Sequence, residues 1–526
     1  MPARPTQKKA DMYKGRSDGE AIKLIGRSSR LSLLQIDIVK QKILTAFPGI
    51  NVEVIAKSSR GDALQEIPLH TVEGSDFFTQ GIFDALEKGE ADIAVHSLKD
   101  MSSEHFFGSN YFSIVDRDDA RDIAIFNNDI IKKIEQGETI VIGTCSPRRE
   151  EMAVGFLRKA LPQLNAEIKI ETKPIRGNVE TRLRKLNGGE YDATILATAG
   201  INRLLRSNED VQLVKELLAD KKLMLLPLIE CVPAPCQGAI AAEAHHTNTR
   251  AIEILQAVND EQLFADCFAE KKEAVNYGAG CIQKFGVTTI HTRNGSYLYA
   301  AGKDAEGTTF LKWNVLPDMV VKEEAIFSST DFMKDFFRYE WSNEKLAVEQ
   351  PVVFVANYKS VQHQSAKEVL TGKKIYASGT RTWYELAKQG HWVEGCADAL
   401  GFESFLTVLQ MPLLQIQQND VCILTHEEAA ERWIEKGYHA VSNYKLLDEE
   451  NNSIAEKIAA ADFIFWSSFS QYQFYGQFSK ATAVNACAGG ETAALLKQQG
   501  IEPVIFPTIK SFEEWRRSSI RPHSVA

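Results

Sequence analysis

From Ala21 onward, short apolar runs alternate with longer stretches in which apolar residues recur every three or four positions. The first pattern predicts buried strands and the second amphipathic helices. Ile22–Ile25 reads as a strand, followed by a polar turn and a helix marked by Leu33, Leu34, Ile38, Ile43, Leu44 and Phe47. Val52–Ala56 reads as a strand, Phe78–Lys88 as a helix and Asp92–Val95 as a buried strand. The pattern restarts after Asp122. Strands at Thr139–Gly143, Glu167–Glu171 and Ala193–Ala197 alternate there with helices at Arg148–Leu161 and Val179–Leu186. Leu223–Leu228 is a further strand, and the Pro/Gly-rich stretch Val232–Gly238 reads as a crossover between domains. A helix from Ala251 leads to Gly278–Cys281, then to strands at Phe285–His291, Ser296–Ala301 and Thr309–Val315. Beyond a boundary near Val348–Pro351, strands are expected at Val352–Val355, Lys374–Ala377, Val421–Leu424 and Phe463–Trp466. Lys374–Gly390 and Thr482–Gly500 share one plan of strand, Gly-containing turn, helix and glycine. Such alternation predicts an α/β protein with largely parallel sheets.

Length and composition narrow the class. The 526 residues correspond to three or four domains. With 44% apolar and 25% charged residues, a mostly disordered chain, a fibrous repeat or a miniature stapled fold is excluded. A net charge of −10, without an aromatic-basic binding module, argues against a nucleic-acid partner. Eight cysteines are scattered without a CxxC pair, which favours reduced thiols. Cys231, Cys236 and His245-His246 make a poor ligand set, so no metal is expected. No apolar run approaches a membrane span, and residues 1–20 read as a loose polar tail without a signal core. A cytoplasmic monomer without a membrane partner is the expectation.

The informative feature is where the arginines fall. Ile25-Gly26-Arg27-Ser28-Ser29-Arg30 lies between a strand and a helix. So does Gly143-Thr144-Cys145-Ser146-Pro147-Arg148-Arg149, where Ser146 is placed to cap and Pro147 suits the first turn. Ile175-Arg176-Gly177-Asn178, with Arg182 one turn on, and Thr198-Ala199-Gly200-Ile201-Asn202-Arg203 repeat the arrangement. Ligands of open α/β sheets bind at the carboxyl ends of the strands, where helix N-termini offer free N–H groups. Arginines, hydroxyls and glycines there suit carboxylates or phosphates. One such loop is an ordinary solvated surface; four of the same build point to a polyanion cleft.

Val95-His96-Ser97-Leu98-Lys99-Asp100 ends another strand. Lys99 and Asp100 read either as a surface ion pair or, at the same sheet edge, as a lone carboxylate in a basic cleft. Surrounding positive charge would keep that carboxylate ionised and suit it to stabilising a cation. Cys281 follows Gly278-Ala279-Gly280, small residues that can leave its sulfur accessible, although for a lone cysteine the stronger reading of these residues is a buried structural thiol.

Together these segments resemble porphobilinogen deaminases, also called hydroxymethylbilane synthases, over Ile22 to Glu349. The resemblance runs through Arg27-Ser28-Ser29-Arg30-Leu31, Ser59-Arg60-Gly61-Asp62, Asp92 to Asp100, Arg148-Arg149, Arg176-Gly177-Asn178-Val179, Tyr191-Asp192-Ala193, Ala199-Gly200, Gln237-Gly238-Ala239 and Gly280-Cys281. It implies two lobes like those of periplasmic binding proteins and a small α/β domain carrying a covalent cofactor. The implied domains are 21–120 with 221–240, then 121–220, then 241–349. The implied cofactor is dipyrromethane, held by a thioether to Cys281. The implied reaction joins four porphobilinogen molecules into hydroxymethylbilane in heme biosynthesis, releasing ammonia each time. Asp100 matches the family's catalytic aspartate. Lys99, Ser29, Ser146, Arg148, Arg149, Arg176 and Arg203 match cofactor contacts, and Arg27, Arg149 and Arg182 substrate contacts. There are departures: a lysine-bearing Gly-Lys-Gly-Leu-Phe stretch is Gly74-Ser75-Asp76-Phe77-Phe78 here, and the Ser-Ser before the paired arginines is Cys145-Ser146.

Residues 350–526 are similar to uroporphyrinogen-III synthases through Ala377 to Trp383, Phe465-Trp466-Ser467-Ser468 and Ala488 to Ala493. That family has two α/β domains, the chain starting in one, filling the other and returning. Here the module is shortened, with the first part of its opening domain missing. Tyr444 matches a family tyrosine, and Ser468 and Thr492 lie near the implied cleft, although packing or turn roles account for all three equally. The implied second activity is cyclisation to uroporphyrinogen III, the alternative a degenerate structural module. An anion-binding protein is the competing reading of the whole, but it gives no reason for Cys281 in its glycine-rich loop.

Overall fold

The structure, a computed structural model, describes residues 21–57, 80–278, 283–332, 336–342, 346–447 and 451–519. It divides into two compact units. The first takes the described residues of 1–158, 165–289 and 299–312, and the second those of 159–164, 290–298 and 313–526. The expected tail, Ser59-Arg60-Gly61-Asp62, the Gly74–Phe78 departure and Cys281 lie outside the described residues.

The first unit contains two lobes, each built on a five-stranded sheet. The strands of the first are β1 (Ile22–Arg27), β2 (Val52–Lys57), β3 (Ile93–Ser97), β4 (Tyr111–Arg117) and β10 (Ala239–Ala244), in the order β2-β1-β3-β10-β4. Those of the second are β5 (Asp122–Phe126), β6 (Ile140–Gly143), β7 (Ile170–Lys173), β8 (Ala193–Ala197) and β9 (Lys222–Leu225), in the order β7-β6-β8-β5-β9. β1 runs parallel to β2 and β3, and β6 parallel to β7 and β8. β10 runs antiparallel to β3 and β4, and β5 antiparallel to β8 and β9. Each of these two sheets is therefore mixed through one reversed strand, a departure in the first unit from the expectation of largely parallel sheets. The cause is topological: in each lobe the reversed strand is the first one formed after the chain crosses over.

Two domain boundaries also move. β9 pairs with β5, so the chain at 222–225 belongs to the second lobe rather than the first. β10 and the helix Thr249–Val258 belong to the first lobe, because Ala251, Ile254, Leu255 and Val258 pack into its core with Ile22, Leu24, Ile36, Val39, Ile43 and Val95. Each of the buried Val, Leu and Ile side chains among them contributes up to about 1.5–3 kcal/mol. The helix Arg30–Ala46 buries Gln35, Ile36, Val39 and Ile43, one face at helical spacing. β11 (Lys284–Thr292), β12 (Gly295–Lys303) and β13 (Thr309–Trp313) form a three-stranded sheet.

The second unit takes up the chain at Trp313, not at 350. β14 (Ile326–Ser328) joins β22 (Phe463–Trp466), β23 (Val484–Ala488) and β24 (Val504–Phe506) in a parallel four-stranded sheet. Its core gathers Phe463, Phe465, Phe506, Phe512 and Trp515. β15 (Arg338–Trp341) pairs antiparallel with β21 (Tyr444–Leu447). Between them the chain builds a fully parallel sheet from β16 (Val352–Val355), β17 (Lys374–Ala377), β18 (Val393–Cys396), β19 (Val421–Thr425) and β20 (His439–Ser442). The two similar halves fall one in each sheet: β17 with the helix Thr380–Lys388, and β23 with the helix Glu491–Gln498.

Candidate active site

Strand ends from both lobes of the first unit face one cleft of 510 Å³. Seven basic side chains line it: Arg27, Arg30, Lys99, Arg149, Arg176, Arg182 and Arg203. Three acidic ones accompany them: Asp100, Glu180 and Asp210.

From the first lobe, Arg27 ends β1 and Ser29 flanks the following helix, its hydroxyl 2.8 Å from that of Ser32. Arg30 reaches across to the second lobe, donating Nε to Asp210 at 2.7 Å and Nη2 to Ser207 at 3.1 Å. β3 passes directly into a single 3-10 turn, Leu98–Asp100. Leu98 is wholly buried and anchors that turn, which leaves Lys99 half-buried and Asp100 exposed at the cleft. Burial lowers the Lys99 pKa; Asp100 opposes this, whereas Arg149 adds to it.

The second lobe supplies the remaining arginines from three loops of matching construction. Gly177 has φ +113°, and a Cβ there would lie 2.6 Å from Thr181 Cγ2, so only glycine fits. Asn178 then caps the helix Val179–Asn187 by accepting from Thr181 N at 2.8 Å. Arg182 donates Nε to Gly177 O at 2.9 Å, and burial lowers its pKa, with Arg149 and Arg176 adding to the effect. On the helix Thr198–Arg206, Arg203 donates Nη2 to Gly238 O at 2.6 Å and to Asp116 at 3.3 Å. Burial lowers its pKa too, against Asp116 and Asp118. Gly238, at φ +85°, lies against Asp118 O, which a Cβ would approach to 2.5 Å.

The paired arginines divide. Ser146 precedes their helix and accepts from Arg149 N at 3.4 Å, a long cap. Arg148 donates Nη1 to Val232 O at 2.6 Å and Nη2 to Asp122 at 2.7 Å, and does not line the cleft. Arg149 donates Nη1 to Ile195 O at 2.9 Å and Nη2 to Asp122 at 2.8 Å, and does line it. The Nε atoms of Arg149 and Arg203 are buried with no partner among the described residues.

Sequence reasoning missed Asp122, the carboxylate between these arginines. Its signal is an acid opening a continuous apolar run, Asp122-Ile123-Ala124-Ile125-Phe126. It also missed Glu243, wholly buried, which meets His96 Nε2 at 2.9 Å, His105 Nε2 at 3.0 Å and Asn110 Nδ2 at 2.7 Å. Burial raises the Glu243 pKa, but the two histidines outweigh it and hold the carboxyl below the usual range.

Of the three residues expected in the second unit, Tyr444 and Ser468 are otherwise engaged. Tyr444 is 3% exposed, with its ring 5.2 Å from Trp341, 5.8 Å from Tyr339 and 5.9 Å from His426. Ser468 forms a capping box with Gln471 at the head of the helix Phe469–Tyr475. Thr492 is the second residue of the helix Glu491–Gln498 and is half-buried. Among the described residues, no helix is long and apolar enough to cross a membrane.

Residues 22–253 match the family model described as porphobilinogen deaminase, dipyromethane cofactor binding domain. The probable porphobilinogen deaminase of Pyrobaculum islandicum is 31% identical over 291 residues, covering 55% of this chain and 89% of that protein. Among solved structures, YhfZ from Shigella flexneri is 14% identical, covering 49% of this chain and 96% of its own, at a TM-score of 0.23. An ABC transporter periplasmic substrate-binding protein from Coxiella burnetii is 14% identical, covering 49% and 98%, at 0.26. Likenesses at those scores carry no argument. The identity over nearly the whole length of the Pyrobaculum protein does, and this chain belongs to the porphobilinogen deaminase family.

Proposed function

We propose that the chain joins four porphobilinogen molecules into hydroxymethylbilane, releasing ammonia at each addition, from a dipyrromethane primer carried on Cys281. The single observation that carries this reading is the cleft, where seven basic side chains surround one exposed carboxylate at a strand end, Asp100. Each pyrrole brings an acetate and a propionate, so primer, substrate and product are all polycarboxylates. Guanidinium forks bind carboxylates through paired, charge-assisted hydrogen bonds. The dipyrromethane fits this donor set, because Arg149 and Arg203 each retain a buried N–H with no partner among the described residues. Lys99, Ser29, Arg149, Arg176 and Arg203 would hold it, and Arg27, Arg149 and Arg182 would bind incoming substrate; Ser146, which does not line the cleft, caps the helix that carries Arg149. Arg148 serves the scaffold beneath. When bound, the dipyrromethane supplies the nucleophilic pyrrole carbon to which the first unit is added.

The chain's own residues do the rest. Arg27, Arg149 and Arg182 would bind the substrate carboxylates and orient its aminomethyl carbon toward Asp100, which lines the same cleft. Departure of ammonia leaves a delocalised cation on the substrate, and the Asp100 carboxylate stabilises it while accepting from the pyrrole N–H. A cytoplasmic monomer suits this reading. The test is the intact mass of denatured protein made in a tetrapyrrole-synthesising host. An adduct of two pyrrole units mapped to Cys281, extended by incubation with porphobilinogen, is expected. A chain that stays unmodified would support simple anion binding instead.

For the second unit, the route of the chain favours a synthase-like module that closes the product to uroporphyrinogen III. One strand enters the four-stranded sheet, the ladder β15–β21 brackets a complete five-stranded sheet, and the chain returns. Tyr444, Ser468 and Thr492 are the residues on which this activity would rest. Separating product isomers tests it: isomer I alone would leave the module a structural partner.

A further inference from the structure

We infer that Asp122 is a positioning residue for the reaction, holding Arg149 toward the cleft and tying it to both crossings of the chain between the lobes. The inference rests on the deaminase reading and adds to it a residue that touches neither substrate nor cofactor. Asp122 opens β5, at the end of the first crossing, and is 1% exposed. Its Oδ1 accepts from Arg149 Nη2 at 2.8 Å and from Gln237 Nε2 at 2.9 Å, and its Oδ2 from Arg148 Nη2 at 2.7 Å. Gln237 belongs to the return crossing and also donates to Ala120 O of the first, at 2.6 Å. Arg148 donates to Val232 O of the return crossing at 2.6 Å. One carboxylate thus gathers two guanidiniums and a carboxamide from elements far apart in sequence.

Charge counting explains why this matters for binding. Two arginines against one aspartate leave one positive charge, and both arginines spend their terminal nitrogens inside the protein. The excess is offered through Arg149, whose side chain lines the cleft. Burial raises the Asp122 pKa, but the two guanidiniums outweigh it and hold the group below the ordinary carboxylate range, so the negative charge persists across working pH. Without that charge, Arg149 would keep only the Ile195 carbonyl as an anchor and would face a second, uncompensated guanidinium.

The test uses the full chain bearing its primer and compares Asp122→Asn, Arg149→Lys, Arg27→Lys and their combinations with Asp122→Asn. Asp122→Asn is expected to raise KM for porphobilinogen roughly tenfold and to change kcat less, since a charge-assisted anchor for binding is displaced. Arg149→Lys added to Asp122→Asn is expected to cost less than about twofold more, because coupled residues are not additive, whereas Arg27→Lys keeps its full effect. A merely structural role for Asp122 would penalise both combinations alike. An unchanged KM in folded Asp122→Asn protein, or effects of Asp122→Asn and Arg149→Lys that multiply, would overturn the inference. Should Asp122→Asn fail to fold, Gln237→Leu removes one neutral donor to the same oxygen. A KM rise of about two- to fivefold then supports the role and an unmoved KM overturns it. Failure of the deaminase reading shows separately, as no pyrrole adduct on the unmutated chain.

Discussion

The cleft of the first unit gathers at the carboxyl ends of its strands, and the Tyr444 cluster of the second gathers where β21 begins and β15 ends. They differ in what their polar atoms have left to do. Asp100 stands exposed on a turn anchored by Leu98, and Arg149 and Arg203 each keep a buried N–H with no partner among the described residues. Tyr444 is enclosed by Trp341, Tyr339 and His426, and Ser468 is engaged in capping its helix. A strand end therefore makes a binding site only where packing and capping leave polar capacity unspent.

The largest effect that would sharpen this contrast is chemical. Asp100→Asn is expected to retain the cofactor by mass but lose turnover by a factor on the order of a hundred to a thousand, the scale for removing a preorganised electrostatic group. Near-normal turnover would remove Asp100 from the mechanism. Next comes stability. Asp122→Ala leaves Arg148 buried without its counter-charge and should cost about 3–5 kcal/mol. Denaturant unfolding should show that loss in the first unit's transition alone, and an equal shift in both would break the comparison.

Acid should separate the units as well. Asp122 and Glu243, both in the first unit, have folded pKa values below the ordinary carboxylate range. Their stabilisation is complete above that range and fades as pH falls through it toward their folded values. In the second unit burial raises the pKa of Glu514, so a cost there is relieved as pH falls. Hydrogen exchange between about pH 5 and about pH 3 should find the first unit opening before the second. The reverse order would contradict the assignment of these carboxylates. The smallest effect is Ser468→Ala, expected to cost about 1 kcal/mol as a lost helix cap. If the product isomer ratio moves with it, Ser468 has a role beyond capping.

Local chemistry was legible along the chain. Ala193–Ala197, Val352–Val355, Lys374–Ala377 and Phe463–Trp466 are strands with the bounds that their apolar runs predict. Arg27, Lys99, Asp100, Arg149, Arg176, Arg182 and Arg203, read from separate loops, converge on one cleft. The strand bounds rest on interactions within a few residues, whereas the meeting of these side chains in one cleft rests on the strand order of two lobes. β4, β5 and β10 were not read from the sequence, and the reversed direction of β5 and β10 was invisible in it. A strand's partner and sense depend on where the chain crosses, not on its own composition.

The same division holds inside the site. Arg148 and Arg149 are identical in chemistry and adjacent in sequence, so no local pattern separates them. On a helix they point about 100° apart. Arg148 is thereby turned to Val232 and Arg149 to the cleft, with Asp122 between them. The sequence by itself determined which segments become strands and helices, and it placed basic side chains at their junctions. Only the tertiary structure decided which of those charges are spent on buried partners and which stay available, because pairing and desolvation depend on groups that the strand order brings together from distant parts of the chain.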